Sequence, residues 1–356
     1  MYSKPYYATE FVSRRGLTGA VRSDILAIMP QHDRLAENTA RPMMPKPDRE
    51  SYRASGFREL PALVFLALIV SSLWIFDPNF SRPMNLLTTA REMAVIGIMG
   101  AGMTMVILTA GIDLSVASVL AFSAAVMAKL MVRGDGVWLS VGAALAIGTA
   151  CGAGNAFLIN RLKIPPIITT LGTMGILRAG VTLYTQAKWI GPLPKAFYFV
   201  GTGYTPVILL ILVTAAAGIF LLRSRWGRYV SAVGGNEEAV RLSGVSVGRT
   251  KFLVYTVNGL LASVAGLIVA SSMSSAQSNM ATGYELNVIA AVVIGGTSIN
   301  GGQGSVLGTV IGAAIIAVLY NALILLGVPI YWHKVITGAV ILTAVLFDRI
   351  RLFGRS

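Results

Sequence analysis

The sequence predicts an all-α integral membrane protein, a polytopic bundle of about ten transmembrane helices with broken or re-entrant glycine-rich segments. Of its 356 residues, 55% are hydrophobic and only 12% are charged, whereas soluble chains carry roughly a quarter charged residues. Apolar runs of about 20 residues, long enough to cross a hydrocarbon core, recur after residue 58. So little charge cannot cover a soluble surface, and a soluble fold is therefore excluded.

The apolar runs divide the chain into one transmembrane domain, residues 59–350, and two polar ends. Residues 1–58 are rich in Arg and Pro, and we expect a disordered cytosolic tail there; residues 351–356 form a short cytosolic C-terminal tail. A start of translation at Met43 or Met44 would make residues 1–42 dispensable, and a regulatory tail is the alternative. The predicted spans are approximately 60–77, 92–110, 115–132, 137–158, 167–186, 205–222, 252–272, 286–299, 305–326 and 331–347.

The charge distribution predicts how the spans are oriented. The net charge is +14, but the basic residues lie between apolar runs and in the N-terminal tail, so a lipid bilayer explains them better than nucleic acid does. With the N-terminus inside, eleven Lys and Arg after residue 58 fall in inner segments and six in outer ones. The positive-inside rule thus favours an even number of spans with both termini cytosolic.

The segment LTAGIDLSVASVLAFSAA places an acidic residue, Asp113, where two apolar spans meet. An aspartate at the centre of a bilayer costs about 2.5–3.5 kcal/mol on insertion scales, so this side chain must face protein or water. Two interpretations are open. Asp113 and Ser115 cap the helix that begins near Val116, or they line the path of a transported substrate.

Other polar side chains also lie within the predicted spans. Arg178 is the second buried charge, and its partner is Asp113, Glu92 or a group of carbonyl oxygens. It has either a structural role or a contact with a polar substrate. The same two interpretations apply to the buried amides, which join helices or bind substrate hydroxyls. These amides are Asn155, Asn258, Asn287 and Asn321.

The segment GGTSINGGQGSVLG, residues 295–308, holds six glycines among fourteen residues, with Thr297 and Asn300 between them. Glycine at this density interrupts a helix, and irregular backbone at membrane depth is tolerated only where it is buried or lines a wet cavity. A phosphate-binding loop is not predicted, because no Gly-Lys-Ser/Thr sequence follows. The chain is therefore not expected to hydrolyse ATP.

The longest internal polar segment, residues 223–251, predicts a short amphipathic helix in a basic cytosolic loop. Asn236 is a good N-cap, and the acidic residues after it complement the positive end of the helix. Gly244 is a suitable helix stop. The segment is a docking site for a partner or, alternatively, a solvated connector. Its candidate contact residues are Asn236, Glu237, Glu238, Val240, Arg241, Leu242 and Gly244.

Four of these segments together resemble a known family over about residues 60–350. They are AGIDLSVASVLA, IPPIITTLGTMGILRAG, GRYVSAVGGNEEAVRLSGVSVGRTK and GGTSINGGQGSVLGTVIGA. They are similar to the permeases of ABC importers of the ribose, xylose, arabinose and galactose type, the ribose branch in particular. One departure is Ala117, where the family usually has glycine. The resemblance implies a permease subunit that translocates a ribose-like monosaccharide by alternating access, with its coupling helix at residues 236–244.

The resemblance also implies the partners. They are a second permease copy, cytosolic ATPase subunits that bind ATP and Mg, and a periplasmic sugar-binding protein, all at a bacterial inner membrane. This chain itself is expected to bind no cofactor or metal and to catalyse no reaction. The candidates for the translocation path or its gates are Asp113, Ser115, Asn155, Arg178, Asn258, Asn287, Thr297 and Asn300.

Two alternatives belong to other classes of protein. An ion-gradient-driven secondary transporter would be expected to carry several carboxylates within the membrane, and only Asp113, Glu92 and Glu285 qualify. An intramembrane enzyme would need a nucleophile beside a base or a set of metal ligands. Neither pattern is evident in the sequence, so the permease interpretation is favoured.

Overall fold

The computed structural model describes residues 59–329, 331–333, 335–339 and 342. Within these residues the chain forms helices joined by loops, and only one isolated antiparallel bridge, between Ile190 and Ala276, has β geometry. The α-helices are α1 Leu60–Phe76, α2 Pro83–Leu108, α3 Val116–Arg133, α4 Val137–Arg161, α5 Pro166–Thr185, α6 Thr205–Arg223, α7 Arg225–Gly235, α8 Glu237–Leu242, α9 Val247–Met273, α10 Tyr284–Ile294 and α11 Val306–Leu325, with a 3₁₀ helix at Lys195–Val200. The all-α prediction is confirmed.

Seven of the described helices, α2 to α6, α9 and α11, are long and apolar enough to cross a membrane. The apolar helices α1 and α10 are shorter, at 17 and 11 residues. The predicted span 331–347 lies largely outside the described residues, as do the two predicted tails, 1–58 and 351–356. A multi-pass helical bundle is thus confirmed by length and composition, whereas the count of ten spans stays a prediction.

Several helix boundaries differ from the predicted ones for local reasons. Helix α2 begins at Pro83, nine residues before the predicted start at 92, because its first turns are polar and hydropathy does not reveal them. Proline suits this position, since its fixed φ matches a first helical turn. Helix α9 begins at Val247 rather than 252, where the Ser246 hydroxyl accepts the N–H of Arg249. The interruption predicted for the glycine-rich segment is confirmed, since α10 ends at Ile294 and α11 begins at Val306.

Helices α2 and α9 form the centre of the bundle. Helix α9 packs along α4 and against α2 and α3, while α2 also contacts α6, α10 and α11. Every residue of α2 from Ala94 to Leu108 is buried, as expected for a helix surrounded by other helices. Large apolar side chains such as Ile176 and Leu222 are exposed on α5 and α6. These outer faces are suited to lipid.

Glycines allow the backbones of α4 and α9 to touch. A methyl group on Gly148 would lie 2.5 Å from the carbonyl oxygen of Gly259, and one on Gly152 would overlap the carbonyl oxygen of Tyr255. A methyl group on Gly259 would in turn overlap the carbonyl oxygen of Gly148. Small residues are the usual means of close helix packing in membranes, where no hydrophobic effect separates helix from lipid. The central α4–α9 contact therefore depends on these three positions.

This contact predicts different effects for two glycines of α4. Gly152→Ala places a methyl group into the backbone of α9, and we expect it to destabilise the solubilised protein by about 1–3 kcal/mol, as overpacking does. Gly154→Ala is the matched control, because a methyl group there meets no atom within 4 Å. The measurement is the apparent melting temperature in detergent. Equal melting temperatures for the two variants would contradict the direct backbone contact.

Candidate functional site

Asp113 lies in the loop between α2 and α3 and is only 2% exposed. Its Oδ1 accepts the backbone N–H of Ser115 at 2.9 Å and the Ser115 hydroxyl at 2.6 Å. Its Oδ2 accepts a hydrogen bond from Nδ2 of Asn258, on α9, at 2.9 Å. Among the described residues, no Lys, Arg or His forms an ion pair with it. The carboxylate is therefore held by hydrogen-bond donors alone.

The hydrogen bonds continue from Ser115 to two further helices. The Ser115 hydroxyl accepts from Nδ2 of Asn155, on α4, at 2.9 Å, and Oδ1 of Asn155 accepts from the hydroxyl of Thr173, on α5, at 2.6 Å. We call Asp113, Ser115, Asn155, Thr173 and Asn258 the Asp113 network. It joins the start of α3 to the next two helices, α4 and α5, and to the more distant α9.

The capping interpretation needs a correction. Helix α3 begins at Val116 as predicted, but the Ser115 side chain accepts no backbone N–H of the helix. Its hydroxyl instead donates to the Asp113 carboxylate, a stronger acceptor than a neutral group, and accepts from Nδ2 of Asn155. Asp113 receives the N–H of Ser115 rather than one further along α3. The alternative, that Asp113 or Ser115 lines a substrate path, stays a prediction.

Two glycines make room for the side chains around Asp113. A methyl group on Gly102, in α2, would overlap Oδ1 of Asn258 and lie 3.0 Å from its Cα. A methyl group on Gly111 would overlap the hydroxyl of Tyr255. That hydroxyl and the Asn258 Oδ1 are both buried and make no hydrogen bond within the described part of the chain. The network is thus packed tightly against the α2 backbone.

Arg178 lies on α5 and reaches the loop that follows α9. Its Nη1 donates to the carbonyl oxygen of Met280 at 2.7 Å, and its Nη2 donates to that of Ala281 at 3.2 Å. Of the three partners considered from the sequence, the carbonyl group is therefore the one observed. This contact lies at the opposite end of α9 from residues 223–251. It ties α5 to residues 274–283.

The remaining path candidates lie apart from the Asp113 network. Asn287 accepts a hydrogen bond from the Tyr320 hydroxyl at 3.0 Å and so joins α10 to α11. Thr297 is buried, with its hydroxyl unpaired in the described structure, and Asn300 is exposed at the tip of its loop. Of the eight candidates, the structure thus brings together Asp113, Ser115, Asn155 and Asn258. Their roles in transport stay predictions.

Sequence reasoning missed two threonines of α5. Thr173 ends the chain of side chains that begins at Asp113. Thr170 accepts the backbone N–H of Leu114 at 3.2 Å and thereby holds the same loop. The available signal was the spacing of these two residues, since positions three apart share a helix face. It was weak, because hydroxyl side chains in a membrane helix commonly bond their own backbone.

Between α6 and α9 the chain forms two helices where the sequence predicted one. Helix α7 was missed; it is capped by the Ser224 hydroxyl, which accepts the N–H of Gly227 at 2.9 Å. Helix α8 is the predicted one. The N-cap prediction is confirmed, because Oδ1 of Asn236 accepts the N–H of Ala239 at 2.9 Å. Gly244 follows the end of the helix with a φ of +80°, which suits glycine.

Helix α8 presents an apolar residue beside charged ones. Leu242 is 80% exposed. Arg241 binds the Glu238 carboxylate at 2.6 Å, and this hydrogen bond raises the pKa of Arg241 further above its ordinary value. Glu237 forms an ion pair with Lys251, at the start of α9, at 2.6 Å. An exposed leucine with a charged surround has the composition of an interface anchor with a polar rim.

Comparison with known proteins gives a consistent match along the described bundle. Residues 85–345 match the family model described as branched-chain amino acid transport system / permease component. The ribose import permease protein RbsC of Escherichia coli K12 is 44% identical over 300 residues, which cover 82% of this chain and 92% of that protein. The ribose import permease protein RbsC of Bacillus subtilis 168 is 42% identical over 294 residues, which cover 81% of this chain and 90% of that protein. The L-arabinose transport system permease protein AraH of Escherichia coli K12 is 36% identical over 292 residues, covering 81% and 89%. No solved structure matches.

The hydrogen bond between Asp113 and Asn258 predicts the result of exchanging the two groups. Asn258→Asp places two carboxyl groups against each other, so one must take up a proton or move away, and we expect lower thermal stability and lower membrane levels. Asp113→Asn is expected to be milder, because the unpaired Oδ1 of Asn258 can turn to accept from the new amide. The double variant Asp113→Asn/Asn258→Asp restores one amide facing one carboxylate. It should recover most of the stability lost by Asn258→Asp, and additive losses would contradict a direct bond.

Proposed function

This chain belongs to the family of transport-system permease components described above, and we propose that it is the membrane-spanning subunit of an ATP-driven importer of a monosaccharide. The observation that carries the proposal is the match to 92% of the length of a ribose import permease at 44% identity. The match therefore extends over nearly the whole relative and is not limited to one shared domain. The ribose relatives are 42–44% identical and the arabinose relative 36%, which supports a ribose-like sugar.

In this proposal the chain supplies the path and its partners supply the energy and the substrate. ATP and Mg bind to cytosolic ATPase subunits, which dock on α8. A sugar-binding protein delivers the sugar at the opposite side, and a second permease copy completes the membrane unit. The chain lies in a bacterial inner membrane with both termini cytosolic. Transport proceeds by alternating access, in which the two ends of the bundle open in turn.

The Asp113 network is proposed to hold helices rather than to bind sugar. Asp113, Ser115, Asn155 and Asn258 are each 2% exposed or less, and they bond to one another. A sugar would reach them only after these bonds break, which leaves buried polar groups unpaired at a cost of about 1–3 kcal/mol each. The network therefore keeps α3, α4, α5 and α9 together while the ends of the bundle move. Arg178 and residues 274–283 are the proposed outer gate.

A secondary transporter is not favoured by the relatives, which are named as import permeases. The two mechanisms differ in their energy source, and this difference can be measured. The permease, its cognate ATPase subunit and its binding protein are reconstituted together in liposomes. Uptake of radiolabelled ribose is expected to require ATP and to persist with ionophores that collapse ion gradients. Uptake driven by an ion gradient without the ATPase would contradict the proposal.

The same preparation tests the class of substrate. Labelled leucine serves as the comparison, because the family description refers to branched-chain amino acids. We expect ribose to be transported and leucine to be excluded. Transport of leucine but not of ribose would contradict the sugar assignment while leaving the ATP-driven mechanism intact.

Helix α8 predicts where the ATPase binds. Leu242→Asp puts a charge where the apolar anchor would be buried, and truncated anchors typically cost about 2 kcal/mol or more of binding free energy. We expect the variant to lose both ATPase co-purification and ribose uptake at unchanged membrane levels. Glu238→Lys should have a smaller effect, because rim charges contribute less.

Leu326→Asp is the matched control for this change. Leu326 is 68% exposed and follows α11, at the end of the bundle away from α8. The Leu326→Asp variant should retain the ATPase in a pull-down. Normal pull-down and uptake for Leu242→Asp would show that residues 223–251 are only a connector.

A further inference from the structure

Three separate segments meet at one contact made of backbone atoms. The N–H of Gly302, in the loop between α10 and α11, donates to the carbonyl oxygen of Leu108 at 3.0 Å. A methyl group on Gly234, in α7, would overlap this same carbonyl oxygen and lie 2.5 Å from the Gly302 nitrogen. A methyl group on Gly301 would lie 2.9 Å from the nitrogen of Ala110 and 3.0 Å from the Cα of Gly234. We call this contact the glycine junction.

The junction lies between α8 and the loop that carries Asp113. Gly234 is two residues before Asn236, the N-cap of α8, so α8 and the junction are connected by a very short stretch of chain. On the other side, Ala110 is three residues before Asp113. The glycine-rich loop between α10 and α11 contributes Gly301 and Gly302 to the junction. A movement of α8 therefore reaches both loops with almost no flexible chain between them.

Backbone contact makes the junction stiff. A side chain can change rotamer to absorb a displacement, whereas a carbonyl oxygen packed on an α-carbon cannot. Gly301 and Gly302 adopt φ values of +87° and +75°, which only glycine adopts readily. Ala110 also has a positive φ, +57°, so the chain turns sharply at the end of α2. A shift of α7 must then move Leu108 and Gly302 with it.

We propose that the glycine junction transmits movement of α8 to the Asp113 loop and to the glycine-rich loop, and so positions the inner end of the bundle during transport. The inference rests on the proposed function, in which α8 contacts the ATPase. A second route from α8 exists, the ion pair between Glu237 and Lys251. The Lys251 side chain is 16% exposed, but that of Glu237 is 56% exposed. Ion pairs open to solvent contribute little, so the junction is assigned the larger share.

The test compares two adjacent glycines in the full complex of permease, ATPase and binding protein. Gly234→Ala fills the space that the Leu108 carbonyl occupies. We expect the ATPase to remain bound and to hydrolyse ATP, while ribose uptake per ATP falls about tenfold, within the usual range of coupling between sites. Gly235→Ala is the matched control, because a methyl group there meets nothing within 4 Å. It should transport normally.

Failure of the inference and failure of the proposed function give different results. If the unmodified protein does not bind the ATPase, the proposed function is refuted. Normal uptake per ATP for Gly234→Ala, with the ATPase bound, would overturn the inference alone. A loss of coupling in Lys251→Gln but not in Gly234→Ala would also overturn it, in favour of the route through α9.

Hydrogen exchange in the unmodified complex keeps the inference testable if Gly234→Ala does not fold. The complex is compared without nucleotide and after trapping with ATP and vanadate. Exchange of backbone amides is expected to change in peptides covering residues 105–112 and 298–304 as well as in residues 236–244. A change confined to residues 236–244 would overturn the proposal.

Discussion

A carboxylate buried in the bundle without a cation constrains much of the described structure. Asp113 is almost fully buried, and its hydrogen bonds come from Ser115 and Asn258. A buried charge is tolerated only when its hydrogen-bonding capacity is met, so the donors must be held in place. Asn155 and Thr173 extend the same set of bonds to two more helices. This requirement therefore links α3, α4, α5 and α9 through one set of hydrogen bonds.

Close packing of these helices requires glycine at particular positions and not at others. Gly102 leaves space for the Asn258 side chain, and Gly152 leaves space for the backbone of α9. By contrast, a methyl group on Gly154 or Gly172 would meet nothing within 4 Å. The high glycine content thus includes positions set by geometry and positions that are free. Both kinds occur on α4, and only the three-dimensional contacts distinguish them.

The two ends of the bundle are held by different kinds of contact. At one end, the Arg178 side chain binds two carbonyl groups of the following loop. At the other, the glycine junction packs backbone on backbone. Side-chain hydrogen bonds can be exchanged for water or substrate one at a time, whereas a backbone contact moves as a unit. This asymmetry suits a transporter in which one end responds to a delivered sugar and the other to an ATPase.

The sequence by itself determined the all-α membrane class and the position of α8. Length and apolar content require helices, because lipid offers no hydrogen bonds to an open backbone, and the Asn236 cap is formed within three residues. Long-range contacts decided the rest. Asp113 and Asn258 are 145 residues apart, and Arg178 had three candidate partners in the sequence. Gly234 of α7 lies against the carbonyl oxygen of Leu108, at the end of α2. Pairings of this kind depend on which helices pack together, and no local pattern encodes that.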